Sequence, residues 1–512
     1  MKKLLRIASA ILVSYSLCIC FQACVTKATP HDPQAIADKA LGYFYEILKI
    51  PRGSDNEQEI SNYLVAFAKE NGLGVVQDSN RNVLITKPAS KDRKNEPPII
   101  LQVHMDMVCE KNADSDHNFF TDPIIPIIDG DWISADGTTL GADNACGMAI
   151  VMAILSTKNL SHPPLEVIIT ANEEGGEGPG AYAFDVSQLK GKRFINVDAE
   201  WEDALTVSCA GTGGSEATII ADYEAIPRGL ATYTLTVKGL TGGHSAVDID
   251  KGRANAIITM ARVLDALDGE AIHLTRIDGG NAFNAIPREC EATISFAGKN
   301  LNSIQSILAQ MEKTLKQEYP LEQVTLSLEK TNTAQNVISH DALKKVINCI
   351  LNTPNGIQTM SRSFEGQVQT SSNLGVISTK DTGNASIKIS KMLRSSVKNE
   401  MSLLLKEMSK KNSEAGAFFT NGSAWGAPWE RKENSPLRDA MTIIYEGFYG
   451  RAPIIEGAHG FLECAIFAEK MPDCDMIAIG PTVENSHSPN ERMSLSSFNR
   501  TCIYLIKVLE KI

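Results

Sequence analysis

The 512-residue chain carries eleven cysteines, yet no two of them form a CxxC pair and no dense framework appears. That absence excludes a zinc ribbon and a disulfide scaffold; the eight cysteines after Cys24, at 109, 146, 209, 290, 349, 464, 474 and 502, are scattered and read as buried thiols. Cations are the minority charge, 49 Lys and Arg against 61 Asp and Glu, for a formal net charge of -12. Binding a phosphate backbone requires clustered cations, so no nucleic acid partner is expected. No low-complexity tract is present, and the content of 43% hydrophobic and 21% charged residues is that of a folding chain. Its length exceeds what one compact core holds, so two or three domains are expected.

The one region of foreign composition is residues 1–24. Lys2, Lys3 and Arg6 precede an apolar run over 7–21 that is short for a membrane span and ends near Ala23 and Cys24. This pattern predicts a signal peptide and an exported protein, periplasmic or membrane-anchored. Phe21, Gln22, Ala23 and Cys24 resemble a bacterial lipoprotein processing site, the alternative being an ordinary cleaved leader. Membrane contact is then expected only through a lipid on Cys24.

Past the leader, apolar strand signals alternate with helix signals. PPIILQVHMDMV over 97–108 reads as a buried strand, followed by glycine-rich turns and a helix over 147–155; LEVIITANEE and RFINVDAE repeat the alternation. Such alternation implies a mostly parallel sheet covered by helices. GTGGSE after Ala210 marks a junction. From Thr232 to Glu329 the order is strand (YTLTVKG), helix 252–267, strands HLTRIDGG and ECEATISFAG, helix 301–317 and strand VTLSLE, the βαββαβ signature of a ferredoxin-like unit. A looser pass follows, with helix 341–351, strands VQTSSNLGVIST and ASIKISKMLRSS, and helix 399–410. The alternating pattern returns near Trp425, with helix 436–448, strand DMIAIG and helix 497–509. The expected fold class is α/β: a mostly parallel-sheet, phosphorylase/hydrolase-like catalytic domain at 33–209 and 414–512, split by an inserted α+β lid of ferredoxin-like units at 210–413.

Several polar residues stand where apolar strands end. Alternation puts His104 and Asp106 on one face; a carboxylate beside a liganding imidazole fixes its tautomer, although a satisfied polar pair is the commoner meaning of His-x-Asp. Asp143, in GTTLGADNACG, is either the N-cap of the following helix or a carboxylate that flexible glycines bring to a metal. Glu173 and Glu174 end LEVIITAN and point in different directions, so one can be a ligand and the other a base; a solvated strand end is the alternative. Asp198 ends RFINVDAE, and His487 follows DMIAIG by a short loop. Ligands of open α/β sheets bind at the C-terminal edge of the strands, where these residues fall. Oxygen and imidazole donors without thiolate suit a hydrolytic pair of divalent ions: zinc first, with manganese or cobalt as alternatives. Two such ions need a bridging carboxylate, for which Asp143 is the candidate.

In this order the segments LQVHMDMV, DGTTLGADNACGMA, ANEEGG, INVDAE, KGLTGGHSAVDI, NAIPRE, TSSNLGVIS, LRSS and IGPTVENSHSPNE resemble the aminoacyl-histidine dipeptidases (Xaa-His dipeptidase, peptidase D), within the two-zinc aminoacylase and carboxypeptidase-like enzymes. The likeness runs from about Pro33 to the C-terminus. It implies that His104 and Asp198 hold one zinc, Glu174 and His487 the other, and that Asp143 bridges. Asp106 would orient His104, and Glu173 would act as general base and then acid. From the lid, His244 would stabilise the oxyanion, while Asn284 and Arg394 would hold the C-terminal carboxylate of a dipeptide and so restrict the enzyme to short peptides. The lid also makes a homodimer a possible assembly. AHGFLEC departs from the family's His-Ala-Gly-Leu-Glu run, so His459 and Glu463 receive no role. The leader departs from a usually cytoplasmic family and points to peptide scavenging outside the cytoplasm. Two rival functions stand beside dipeptide hydrolysis: an N-acyl amino acid deacylase or carboxypeptidase with the same machinery, and a non-catalytic peptide-binding lipoprotein, which would have no need of Glu173.

Overall fold

The computed structural model describes residues 32–175, 179–381, 385–422 and 426–512. The leader expected at 1–24, with Cys24, lies outside these, as do Gly176 of ANEEGG and Trp425.

Strands Ile99–His104, Leu165–Thr170 and Arg193–Val197 are runs of apolar residues buried along nearly their whole length, as strands covered on both faces must be. With Asp475–Ile479 they form the parallel centre of an eight-stranded sheet. Antiparallel strands Val83–Lys87 and Gly74–Gln77 extend one side; Ala204–Cys209 and Ile454–Ala458 extend the other. The expected α/β class is present, with parallel pairing confined to the middle and one pair at the far edge. Helix Ala142–Ser156 is apolar all round and buried, packed between the central sheet and helix Pro33–Ile47. The last helix, Leu495–Lys511, also packs on Pro33–Ile47, bringing the two ends of the described chain together.

The second sheet is antiparallel throughout and has nine strands. Leu230–Lys238, helix Ala256–Ala266, His273–Gly279, Cys290–Ala297, helix Leu301–Glu318 and Thr325–Lys330 make a βαββαβ unit with ferredoxin-like strand order 4-1-3-2. The second unit has the same order: strand Gly211–Ala221, helix His340–Leu351, strands Val368–Asp381 and Ala385–Ser395, helix Lys398–Glu414 and strand Phe418–Asn421. Strand Gly356–Met360 adds to it on Val368–Asp381. The first unit is inserted into the second, between its first strand and first helix, and the two join edge to edge where Gly279 pairs with Ile377. GTGGSE, expected as a junction, is already strand: Gly211–Ala221 pairs along its full length with Ala385–Ser395. Its small residues carry no strand signal of their own; pairing on both sides imposes the conformation.

The helix expected over 252–267 begins at Ala256, because Gly252 sits in a left-handed turn and Asn255 supplies the cap. Asn255 Oδ1 accepts from the N–H groups of Ile257 (3.0 Å) and Ile258 (3.2 Å), and its Nδ2 donates to Leu374 O at 2.7 Å, tying one lid unit to the other. Asn255→Ala should therefore cost the lid about 1–2 kcal/mol, seen as a lower urea midpoint; Asn255→Asp, which keeps the cap but loses the donor, should recover part of it. An unchanged midpoint in the alanine variant would show that the cap carries no stability.

Candidate metal centre

Four parallel strands deliver the polar cluster from their C-terminal ends. His104 is the last residue of its strand, Glu173 and Glu174 follow Thr170, Asp198 follows Val197, and the segment after Ile479 leads to His487. His487 rides on a hairpin whose strands, Val483–Glu484 and Arg492–Ser494, pair with each other and then with Trp132–Ala135, which the strand readings from sequence did not include. His487 and Asn172 both adopt left-handed backbone, with φ of 61° and 57°, a conformation that non-glycine residues hold at a cost of about 1–3 kcal/mol and mostly at functional sites.

The side chains converge. Asp143 Oδ1 lies 2.9 Å from His104 Nε2, and Asp143 Oδ2 lies 3.2 Å from His487 Nε2. Asp198 Oδ1 is 3.2 Å from the same His104 nitrogen, and Glu174 Oε2 is 3.1 Å from the same His487 nitrogen. Two donor sets able to hold an ion result, His104–Asp143–Asp198 and Asp143–Glu174–His487, sharing Asp143; Glu173 lies in a third cluster with His104 and Glu174. Of the two readings of Asp143, the structure rejects the cap. Asn144 Oδ1 accepts from Gly147 N at 2.9 Å, which frees the Asp143 carboxylate to face both histidines. The Asp143–Asn144 peptide is cis. Gly141 turns the chain in left-handed conformation, and a Cβ at Gly147 would lie 2.2 Å from Val197 O, so only glycine lets this helix approach the strand that carries Asp198.

A buried frame orients the cluster. Asp106 Oδ1 lies 3.4 Å from His104 Nδ1; the same carboxylate accepts from the N–H groups of Glu173 (3.1 Å) and Glu174 (3.0 Å) and from Ser54 Oγ (2.7 Å). Arg52, 1% exposed, donates to the carbonyls of Met105 (3.1 Å), Asp106 (2.8 Å) and Gly141, clamping the His104 strand to the turn before Asp143. Glu491 accepts from Gly141 N (2.9 Å) and Asp143 N (3.3 Å). Behind the centre, Glu463 accepts from Gln102 and Thr170, and Gln102 in turn accepts from Asn196 Nδ2 at 2.6 Å; one buried network thus spans the three strands that present His104, Glu173–Glu174 and Asp198. Sequence reasoning missed Arg52, Ser54 and Glu491 and left Glu463 unassigned. Of these, Glu491 and Glu463 stood within or beside a recognisable motif.

Burial and neighbouring carboxylates push the carboxyl of Glu174 above its ordinary range, to about 7, and raise Glu173 well above it. Burial also lowers the affinity of His104 and His487 for a proton, but the surrounding carboxylates outweigh it and hold both well up. The buried oxygens Asp198 Oδ1 and Glu174 Oε1 receive no hydrogen bond, a cost that cations in the cluster would remove. The residues therefore fit a pair of divalent ions. Cys146 lies close, but burial and the charges of Asp143 and Asp198 keep its thiol protonated, which leaves an oxygen and imidazole donor set.

The expected lid residues gather around Ser245. His244 precedes it in a short strand paired to Ala285–Ile286, Asn284 O accepts from Ser245 N at 2.9 Å, and Arg394 Nε donates to Ser245 Oγ at 3.4 Å. Asn373 fixes this segment by donating to Phe283 O (3.1 Å) and Ala285 O (2.7 Å). Burial, with the charges of Arg394 and His487, lowers His244 to about 4. His459, from the catalytic sheet, reaches the lid through Ser371 Oγ at 2.8 Å from its Nε2.

Carboxylates and imidazoles at the C-terminal edge of a parallel sheet, beneath an inserted lid, define the class: a two-metal hydrolase of α/β fold. Residues 228–323, the first lid unit up to its last strand, match the family described as "Peptidase dimerisation domain". The chain is 36% identical over 488 residues to the cytosol non-specific dipeptidase of Escherichia coli, covering 94% of this chain and 98% of that protein. The crystal structure of aminoacylhistidine dipeptidase from Vibrio alginolyticus superposes with a TM-score of 0.78 at 34% identity, over 94% of this chain and 98% of that one. A tripeptidase from Staphylococcus aureus, at 15% identity and a TM-score of 0.57 over 93% and 98% of the chains, shares the fold alone. The chain belongs to the dipeptidase family of the first two.

These relatives correct one expectation. The Escherichia coli protein is named as cytosolic, which overturns the reading of an exported, periplasmic or lipid-anchored protein. A short apolar run behind a few cations is a compositional signal compatible with fates other than export. The leader and the lipid on Cys24 gain no support, and neither does the non-catalytic binding lipoprotein, since these relatives are enzymes. Among the described residues no helix is long and apolar enough to cross a membrane.

Arg52→Met removes a buried cation with three carbonyl partners. The variant should lose about 3–5 kcal/mol of stability and most of its metal, measured by thermal denaturation and by metal content after gel filtration. Full metal retention would separate the clamp from the centre.

Proposed function

We propose that this chain hydrolyses the peptide bond of dipeptides, Xaa-His or of broad specificity, at a pair of divalent ions held by these residues. The observation that carries the reading is the Asp143 carboxylate, which offers one oxygen to the His104–Asp198 set and the other to the His487–Glu174 set. In this reading His104 and Asp198 hold one ion, Glu174 and His487 the other, and Asp143 bridges, with Asp106 fixing His104. A donor set of oxygens and imidazoles favours zinc, with manganese and cobalt as alternatives. When bound, the ions polarise the scissile carbonyl and bring the pKa of water toward neutrality.

Glu173 takes a proton from the attacking water onto its carboxylate and returns it to the departing amine nitrogen. Burial and the nearby Glu174, Asp198 and Glu463 raise its affinity for a proton, which a carboxylate needs in order to take one from water and hold it for the amine. His244 accepts from Ala246 N at its Nδ1, 3.4 Å away, which leaves the ring proton on Nε2 for the oxyanion; lowered to about 4, the ring is neutral at neutral pH. Arg394, buried with Nε on Ser245, keeps its other donors for the substrate's carboxylate, beside Asn284. The deacylase and carboxypeptidase alternatives use the same centre; the dipeptidase relatives favour the dipeptide.

Glu173→Gln should keep both ions, counted by atomic emission, and lose about 10²–10⁴-fold in kcat on dipeptides. Turnover within a few-fold of the native enzyme would remove Glu173 from the reaction, and preference for N-acetylated amino acids over free dipeptides would sink the dipeptidase reading. The match to the dimerisation family also supports a homodimer formed through the lid. Light scattering should give twice the chain mass; a monomer at micromolar concentration would exclude it.

A further inference from the structure

Beside the centre, reaching it at Glu174, lies a cavity of about 620 Å³. Every residue of its wall except Glu174 of the polar cluster comes from the segments around 53–56 and 107–120, and none comes from the lid. Met107, Val108, Phe119 and Phe120 make the wall largely apolar, and Phe120, 75% exposed, stands as an open lip. Lys111, the cation in the wall, is engaged with His117 O at 2.7 Å, whereas Glu110 and Asp116 add negative charge. The volume is that of a ligand site, where the usual range is about 300–1,000 Å³.

We propose that this cavity receives the side chain of the residue on the N-terminal side of the scissile bond and selects bulky apolar residues there over small or acidic ones. The proposal rests on the dipeptidase reading above. If Arg394 and Asn284 hold the C-terminal carboxylate from the lid, the other half of the dipeptide leaves the centre in the opposite direction, past Glu174. Glu174 lines the cavity, and no lid residue does. Filling an apolar wall with a phenylalanine side chain removes apolar surface from water, whereas glycine leaves the cavity to solvent. An acidic side chain would meet Glu110 and Asp116 with no free cation in the wall.

The test is the kcat/KM of the metal-loaded enzyme on Gly-Gly, Leu-Gly, Phe-Gly and Glu-Gly, together with calorimetric binding of Phe-Gly and Gly-Gly to Glu173→Gln. Phe-Gly and Leu-Gly should exceed Gly-Gly by about tenfold or more in both readouts, with Glu-Gly below Leu-Gly. Val108→Trp, which fills the cavity, and Phe120→Asp, an exposed change at the lip, should each lower the ratio of Phe-Gly to Gly-Gly at least several-fold. Equal rates across the series, or a ratio unmoved by the folded Phe120→Asp variant, would overturn the assignment while leaving dipeptide hydrolysis intact. Hydrolysis of no dipeptide at all would instead overturn the functional reading and this proposal with it.

Discussion

Crowded negative charge at the end of a buried sheet is the constraint around which this molecule is built. Asp106, Asp143, Glu173, Glu174 and Asp198 occupy one small region, and Asp106, Glu174 and Asp198 have side chains exposed by 5% or less. Carboxylates at such distances repel one another and pay for lost hydration unless cations or donors offset both effects. Asp106 is compensated by two backbone N–H groups, Ser54 and His104, and its carboxyl stays below the ordinary range despite burial. Glu173 and Glu174 lack that compensation and are raised, the electrostatic mark of a place prepared for positive charge.

Rigidity on one side and closure on the other follow from the two sheets. The central strands cannot shift without breaking a core that includes helix Ala142–Ser156, so the residues at their ends are held by the best-packed part of the protein. The lid holds its polar groups in a compact knot: His244, Asn284 and Arg394 all meet at Ser245. His459 crosses between the domains to Ser371, although its ring belongs to a turn for which the sequence suggested no use.

How much could be read from the sequence differs by residue. His104, Glu173, Glu174 and Asp198 were legible because an apolar run that ends abruptly in a charged residue marks a strand leaving the core. Asp143 stayed ambiguous until the neighbouring Asn144 was seen to cap the helix. Arg52 gave no signal, because its partners are main-chain carbonyls, which any sequence supplies, and Glu491, though it closes a recognisable motif, was passed over because its partners are main-chain amides. The first lid unit was legible as a continuous βαββαβ string, while the second was half hidden: its first strand, Gly211–Ala221, precedes the entire first unit, and a linear reading cannot rejoin it to the helix at His340. The boundary of helix Ala256–Ala266 was decided by one asparagine side chain. The reading of an exported protein failed for a different reason: a short apolar run behind a few cations is a compositional signal that does not by itself fix a destination.

The split of the central sheet also governs how the protein comes into being. Strand Arg193–Val197 finds its neighbour Asp475–Ile479 only after the whole lid has been synthesised, and His487 follows later still. A nascent chain released from the ribosome up to the lid has an open edge in the middle of its sheet and half of a hydrolytic centre. Loop closure over so many residues makes assembly of the sheet a late event, and the donor cluster around Asp143 is incomplete until the final segment is in place.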